Sequence, residues 1–183
     1  MKKYFLILIA LLTFICNLEA QKRYSIGDYY CQDGKRGVVF SVNIDGTHGK
    51  AISINECICP WENGCSYEDI GAHSTSNGNS NSFIIKNYIN NTGCNPNKYP
   101  AHTFCVLLGG YLPSLDEVKE IFKNKQAINK TLYERREQLI KGKMWTSTEE
   151  DAVRAYHVYM DSGTEYASEK LEDDRRARAV FEF

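Results

Sequence analysis

The chain has 183 residues, of which 43% are hydrophobic and 25% are charged, and its formal net charge is −1 at pH 7. This length fits one domain that is large enough for its own hydrophobic core. Lysines and arginines are interleaved with acidic residues, so no basic stripe forms a footprint for phosphates. These features argue against nucleic acid as a partner.

The first twenty residues are predicted to be a signal peptide, residues 1–20. Lys2 and Lys3 give a basic start, residues 4–15 are an almost unbroken apolar run, and Ala20 is a small residue at a cleavage position. The apolar run is short for a membrane span, and no later segment is apolar enough to cross a bilayer. The protein is therefore expected to be exported to the periplasm, the outer surface or the medium, with no membrane span after signal cleavage.

The sequence contains seven cysteines. A lipid anchor at Cys16 is disfavoured, because lipoprotein signals place a small residue before the cysteine and Ile15 stands there. The remaining six form an even set, which predicts disulfides of open connectivity in an exported chain. Cys57 and Cys59 are too close in sequence to be expected to pair with each other. The six disulfide candidates are Cys31, Cys57, Cys59, Cys65, Cys94 and Cys105.

Residues 37–183 are predicted to form one α+β domain, after an irregular lead-in at residues 21–36. The domain begins with two strands, at residues 38–42 and 50–54, which are rich in β-branched and aromatic residues. Residues 56–96 hold four of the six cysteines and a tract rich in glycine, serine and asparagine. That tract cannot build a core alone, so this insertion is expected to consist of long loops pinned by disulfides, with residues 83–89 as a candidate for a short strand or helix inside it.

The segment after the insertion is predicted to be helical. Residues 100–108 place apolar side chains on one face, and Ser114 with Glu117 forms a capping box that starts the next helix. A third helix is predicted at residues 129–140, ending at Gly142. The chain then returns to strands, which are predicted at residues 144–147, 155–160 and 178–183.

Four stretches, taken together and in order, resemble a known family. Residues 37–49 are similar to its opening strand and turn, and residues 110–114 with Glu117 to its "W-x-L-P-S, then E-L" helix start. Residues 145–149 are similar to its "W-S-S-T/S-E" strand, and residues 176–180 to its terminal "R-V-R-x-V-R" strand. The family is the C-terminal domain of bacterial collagen-like adhesins (the Lcl C-terminal domain), a domain of unknown function.

The resemblance implies a C-type-lectin-like fold, related to that of formylglycine-generating enzymes. In such a fold the first and last strands pair, two or three helices pack on them, and long loops project from one end. Members are commonly exported, and adhesion or ligand binding is the usual suggestion. Arg176 and Arg178 lie on one face of the last strand and are expected to tie it to acidic residues elsewhere.

Three aromatic residues are candidates for ligand binding. Trp61 lies in the cysteine-rich insertion, where few core positions are expected, and with Tyr67 and Tyr88 it could form a face for a sugar or protein. The alternative is that Trp61 caps a small disulfide cluster. Trp145 leads a strand and is predicted to be a core residue.

No cofactor and no firm metal site are predicted. The four histidines lie far apart in sequence, without metal-ligand spacing. Glu149, Glu150 and Asp151 are weak candidates for calcium, because carboxylates on a turn can bind it. A solvated acidic turn, with Arg154 paired to one of the acids, is the favoured interpretation.

These observations predict an exported, non-catalytic binding module at the cell envelope or surface, which recognises a glycan or an envelope or surface protein through its loops. The alternative is a structural subunit of a surface assembly. A formylglycine-generating-type enzyme is the weakest interpretation. Those enzymes rely on a cysteine pair in the C-terminal part of the domain, and no cysteine follows Cys105.

Overall fold

The computed structural model describes residues 22–64 and 67–183. The predicted signal peptide, Cys16 and Cys65 lie outside these residues. The described part is α+β, with two sheets and four α-helices, as the sequence predicts for the class. The strands are β1 (Tyr29–Gln32), β2 (Lys35–Val42), β3 (Gly49–Ser53), β4 (Cys57–Ile58), β5 (Lys143–Glu149), β6 (Arg154–Tyr159), β7 (Glu165–Glu169), β8 (Arg176–Ala177) and β9 (Val180–Glu182). The helices are α1 (Gly78–Thr92), α2 (Pro100–Leu107), α3 (Leu115–Lys123) and α4 (Lys125–Glu134).

The first sheet has the order β1-β2-β3-β9 and is antiparallel throughout. The predicted pairing of the first and last strands is wrong, because β9 pairs with β3 while β1 occupies the opposite edge. β1 lies in the predicted irregular lead-in, and it joins β2 through Asp33 and Gly34, whose φ angles are 50° and 76°. Positive φ at both central residues gives the twist that two-residue hairpins need.

The second sheet has the order β4-β8-β5-β6-β7. All of its neighbours are antiparallel except β5 and β8, which run parallel through the single pair Met144 and Arg176. The predicted strands at residues 144–147 and 155–160 correspond to β5 and β6. The predicted final strand at residues 178–183 corresponds to β9, which is shorter and belongs to the first sheet, whereas β8 just before it belongs to the second sheet.

Both faces of the first sheet are covered. Val38 and Phe40 in β2 belong to a cluster with apolar residues of α3 and α4, whereas Val39 between them belongs to a cluster with α1 and α2. Successive strand residues point to opposite faces, so each face needs its own apolar set. This explains why β2 has a continuous apolar run and not an alternating one.

Helix α1 occupies much of the segment that was expected to consist of loops, and it contains residues 83–89, the candidate for a short strand or helix. Its N-cap is Asn77, whose side chain accepts a hydrogen bond from the Ser80 amide at 2.8 Å, and it ends at Gly93 in the left-handed conformation. Ile85 and Ile89 are buried one turn apart, and the other buried residues of the helix are small or polar. The apolar stripe is too narrow for the sequence pattern to predict a fifteen-residue helix.

Helices α2 and α3 agree with the sequence prediction, but α4 ends earlier than predicted. After Glu134 the chain leaves the helical path, and Arg136 adopts a φ of 60°. The side chain of Asn129 accepts a hydrogen bond from the Ile140 amide at 2.7 Å and donates one to its carbonyl at 3.0 Å. These side-chain bonds replace the helical backbone partners that residue 140 would otherwise have.

The capping box that starts α3 is confirmed, and its glutamate does more than cap the helix. Glu117 is 4% exposed, and its carboxylate accepts hydrogen bonds from the Ser114 amide at 2.7 Å and the Ser114 hydroxyl at 3.0 Å. It also accepts from Lys50 Nζ at 2.7 Å, the Tyr111 hydroxyl at 2.8 Å and the Gly78 amide at 3.2 Å. One carboxylate therefore joins β3 and the starts of α1 and α3.

Arg178 joins the ends of the two sheets. The guanidinium is fully buried and donates to Glu56 Oε2 at 2.8 and 3.0 Å. It also donates to the carbonyls of Ser53 at 3.0 Å and Gln138 at 2.7 Å. Arg176 approaches the same Glu56 at 3.4 Å. The predicted structural role of these two arginines is confirmed.

Replacing Glu117 with alanine is expected to lower the free energy of unfolding by about 3 kcal/mol, because it leaves a lysine and several amide and hydroxyl donors without their acceptor. Glu120→Ala, in the same helix and only partly buried, is the matched control and is expected to change stability by less than about 0.5 kcal/mol. Urea unfolding followed by circular dichroism measures both values. Equal effects of the two variants would contradict this role for Glu117.

Candidate functional site

The predicted disulfide framework is not shown by the structure. Within residues 22–64 and 67–183 all five cysteines are free. Cys31 is exposed on the edge strand β1, whereas Cys105 lies on the buried face of α2. Cys57 and Cys59, which are not expected to pair in a disulfide, are free thiols whose sulfurs are in contact at 3.0 Å.

The three candidate binding aromatics differ in their access to solvent. Trp61 is 1% exposed, donates its indole N–H to the Thr146 carbonyl at 2.9 Å and packs edge-on against Tyr99. The expectation of a surface position for Trp61 is therefore wrong, because core partners satisfy both its ring and its N–H. Tyr88, which is half-buried, contacts the same Tyr99 edge-on, and Tyr67 is 55% exposed.

Tyr88 and Tyr67 are thus the candidates that reach the surface. Lys98 lies beside Tyr88, with its ammonium 5.9 Å from the centre of that ring and 5.6 Å from the centre of the Tyr99 ring. The same ammonium is 3.9 Å from Glu68. The Tyr88 ring, beside a lysine that is itself paired with Glu68, can stack on an apolar face and leave hydrogen-bonding groups at its rim.

Glu149 is buried and bound to an internal cation. Its Oε1 atom lies 2.6 Å from Lys170 Nζ, and its Oε2 atom accepts from the Ala72 amide at 2.8 Å. Lys170 is 2% exposed, donates to the carbonyls of Glu68 and Ala152 at 3.1 Å each, and lies 4.9 Å from the centre of the Trp61 ring. Lys170 therefore holds the chain around Glu68 against the end of β5.

Glu150 and Asp151 form the turn that follows β5. Asp151 Oδ2 accepts from the Arg154 guanidinium at 2.7 and 3.0 Å, and Arg154 also lies 2.9 Å from Glu150. The hydrogen bond from Arg154 lowers the pKa of Asp151, with a further contribution from the amide of Val153. The predicted pairing of Arg154 with this turn is confirmed, and both carboxylates already face a cation.

A third arrangement could hold a metal ion. Asp69, His73 and Glu149 offer ligand atoms that all lie within 4.8 Å of one another. His73 Nε2 is 2.9 Å from Asp69, and its Nδ1 is 3.2 Å from the Glu149 carbonyl. The Glu149 carboxylate is the only buried member, and it faces Lys170, so a metal ion would have to compete with that ammonium. The sequence interpretation overlooked His73, because nothing in the sequence showed that residue 73 would lie beside residue 149.

Two histidines are buried as neutral groups. Burial lowers the pKa of His102 to about 4, and the charge of Lys86 adds to the effect. Burial likewise lowers the pKa of His157 to about 4, with contributions from Arg175 and Lys143. His157 packs between Trp145 and two tyrosines, and within the described chain neither of its ring nitrogens has a hydrogen-bond partner.

Comparison with known proteins gives a similarity of fold. No protein-family model matches the sequence, and no curated protein matches it. Among solved structures, a fimbrial protein from Bacteroides ovatus matches with a TM-score of 0.59 and 15% sequence identity. The match covers 87% of this chain and 48% of that protein, so the chain spans about half the length of the neighbour. In the described part of this chain, no helix has the length and apolar character needed to cross a bilayer.

Lys170→Met is expected to lower the free energy of unfolding by about 3 kcal/mol, because it leaves the Glu149 carboxylate charged and buried without its cation. Lys143→Met removes the more exposed ion pair with Asp174 and is expected to cost less than about 1 kcal/mol. Chemical denaturation of both variants measures the difference. A loss in Lys170→Met no larger than in Lys143→Met would mean that the buried pair is not important for stability.

Stability is also expected to fall as the pH falls from about 6.5 to about 4. In the folded protein His102 and His157 stay neutral down to about pH 4, whereas in the unfolded chain histidines bind protons near pH 6.5. The unfolded chain therefore holds more protons across this window, and the stabilisation present above pH 6.5 is lost progressively below it, by up to roughly 3 kcal/mol for each histidine.

Thermal unfolding measured at intervals between pH 4 and pH 7 tests this dependence. The double variant His102→Gln/His157→Gln is expected to show a flatter profile, since it has removed both groups. His48→Gln, at an exposed turn, is the control and is expected to keep the wild-type profile. A double variant with an unchanged profile would show that other groups dominate the acid response.

Proposed function

We propose that this protein is an exported, non-catalytic module that binds a protein or glycan partner at the cell envelope or surface. The observation that carries the proposal is the similarity of fold to a fimbrial protein over 87% of the chain. Fimbriae are surface assemblies, so this neighbour supports a surface location and a protein partner. The signal-peptide pattern at residues 1–20 supports the same location.

The use of the buried charges supports a binding role over a catalytic one. Glu117, Glu149 and Arg178 are each buried, and each is engaged by several partners within the fold. A catalytic acid or base must be able to contact a substrate. These three groups instead use their hydrogen bonds to connect secondary-structure elements within the fold. We propose that the recognition surface includes Tyr67 and the half-buried Tyr88.

The test is an affinity screen with the exported protein against envelope extracts and a glycan array. A saturable ligand is expected, and Tyr67→Ala is expected to weaken its binding by at least about tenfold, as for an aromatic residue at an interface centre. Tyr133→Ala is the matched control, because Tyr133 is 76% exposed on α4. Unfolding temperatures of both variants show whether the fold is retained. Binding that is equal in the two variants would place the site elsewhere.

A structural subunit of a surface assembly is the second candidate, and it is favoured because the structural neighbour is a fimbrial protein. This role requires the chain to associate with other copies or with further subunits. Electron microscopy and sedimentation of the purified protein, alone and with envelope extract, distinguish the two roles. Ordered polymers would support the structural role, whereas a monomer with a saturable ligand would support the binding role.

A further inference from the structure

Cys57 and Cys59 form a thiol pair at the start of the second sheet. Cys57 lies opposite Ala177 in the pairing of β4 with β8. Residues two apart in an extended chain point to the same face, and the exposed side chain of Ile58 between them points to the other. The sulfurs consequently meet at 3.0 Å, so closure to a bond of about 2.05 Å requires each sulfur to move by roughly half an ångström.

The backbone holds this pair in place. The amide of Cys59 donates to the Arg175 carbonyl at 3.1 Å, and its carbonyl accepts the indole N–H of Trp145 at 3.0 Å. Trp145 is fully buried, so the contact is anchored to the core. The approach of the two sulfurs is therefore imposed by the fold and does not depend on a flexible loop.

The two thiols are chemically unequal. The hydrogen bond with Cys59 lowers the pKa of Cys57, while the same interaction and burial raise the pKa of Cys59. Thiolates are the attacking species in thiol–disulfide exchange. Cys57 is accordingly suited to attack first, and Cys59 is placed to resolve the product.

We propose that Cys57 and Cys59 are a redox-active pair that closes to a disulfide when the protein meets a small-molecule disulfide oxidant. The Cys57 thiolate attacks one sulfur of the oxidant, whose S–S bond breaks, and the other half leaves as a thiolate. Cys59 then attacks the Cys57 sulfur, releases the second half as a thiolate, and gives its proton to a leaving thiolate. The two cysteines are oxidised by two electrons, and the oxidant is reduced to two thiol equivalents.

The spacing also predicts that this disulfide is easily reduced. A bridge across a single intervening residue departs from the relaxed geometry of disulfides between distant residues, and strained disulfides are the more reducible ones. The pair is thus expected to exchange with its surroundings, unlike a permanent structural staple. This inference does not depend on the proposed partner, because it concerns only the chain's own thiols.

The experiment uses the full protein, reduced and then equilibrated with oxidised glutathione, blocked with N-ethylmaleimide and cleaved after glutamate. Cleavage at Glu56 and Glu62 gives a peptide that contains Cys57 and Cys59 but not Cys65. We expect this peptide to be unlabelled and lighter by two hydrogens. We expect the disulfide between Cys57 and Cys59 to form at a concentration of oxidised glutathione at least about tenfold below the concentration that modifies Cys31. The reason is that the second step, the attack by Cys59, is intramolecular.

Two single-cysteine replacements in the pair and one control replacement complete the test. Cys57→Ser and Cys59→Ser are each expected to leave one thiol of the pair, which is labelled or carries glutathione. Cys31→Ser, at an exposed position, is the control, and its Cys57–Cys59 pair is expected to oxidise as in the wild type. Adding excess reduced glutathione to the folded wild-type protein is expected to restore labelling of both cysteines. Full labelling of Cys57 and Cys59 after oxidation, or a bridge from either residue to Cys105 or Cys65, would overturn the proposal.

Discussion

The carboxylate of Glu117 is the interaction on which most of the fold depends. It is held by its own helix through the capping box, and by β3 through Lys50. Its contact with the Gly78 amide fixes the start of α1 on the opposite side of the sheet. A side chain at residue 78 would place its Cβ 2.6 Å from this carboxylate, so the glycine and the glutamate are required together. The helices on the two faces therefore share one buried charge.

The parts of the fold that the sequence predicted are those with strong local signals. The capping box of Ser114 and Glu117 specifies the start of α3 through neighbouring residues alone. The start of α1 also has a local signal, which is the cap at Asn77. The helix has few buried apolar residues, however, so its hydrophobic pattern resembles that of a loop. The end of α4 is set by Asn129, which binds a backbone eleven residues away, and no periodic pattern contains that information.

The candidate site was less predictable than the fold, because it depends on contacts between distant segments. Trp61 was placed at the surface on the grounds that its neighbours are polar and rich in cysteine. It is instead buried by Thr146 and Tyr99, which lie 85 and 38 residues further along the chain. The spacing of Cys57 and Cys59 argues against a disulfide between them, and it says nothing of the contact between their free thiols, which occurs because β8 and Trp145 hold this short segment extended. Pairing with remote segments can override an argument from local sequence.

Lys170 supplies the positive charge that Glu149 would otherwise have to obtain from solution. Since this cation is covalently part of the chain, its presence does not vary with the free concentration of any divalent ion. The neighbouring loop around Glu68 is tied to the same ammonium through its backbone carbonyl. The counter-charge of Glu149 and the anchor of the chain around Glu68 are therefore one and the same group, so losing Lys170 would disturb both at once.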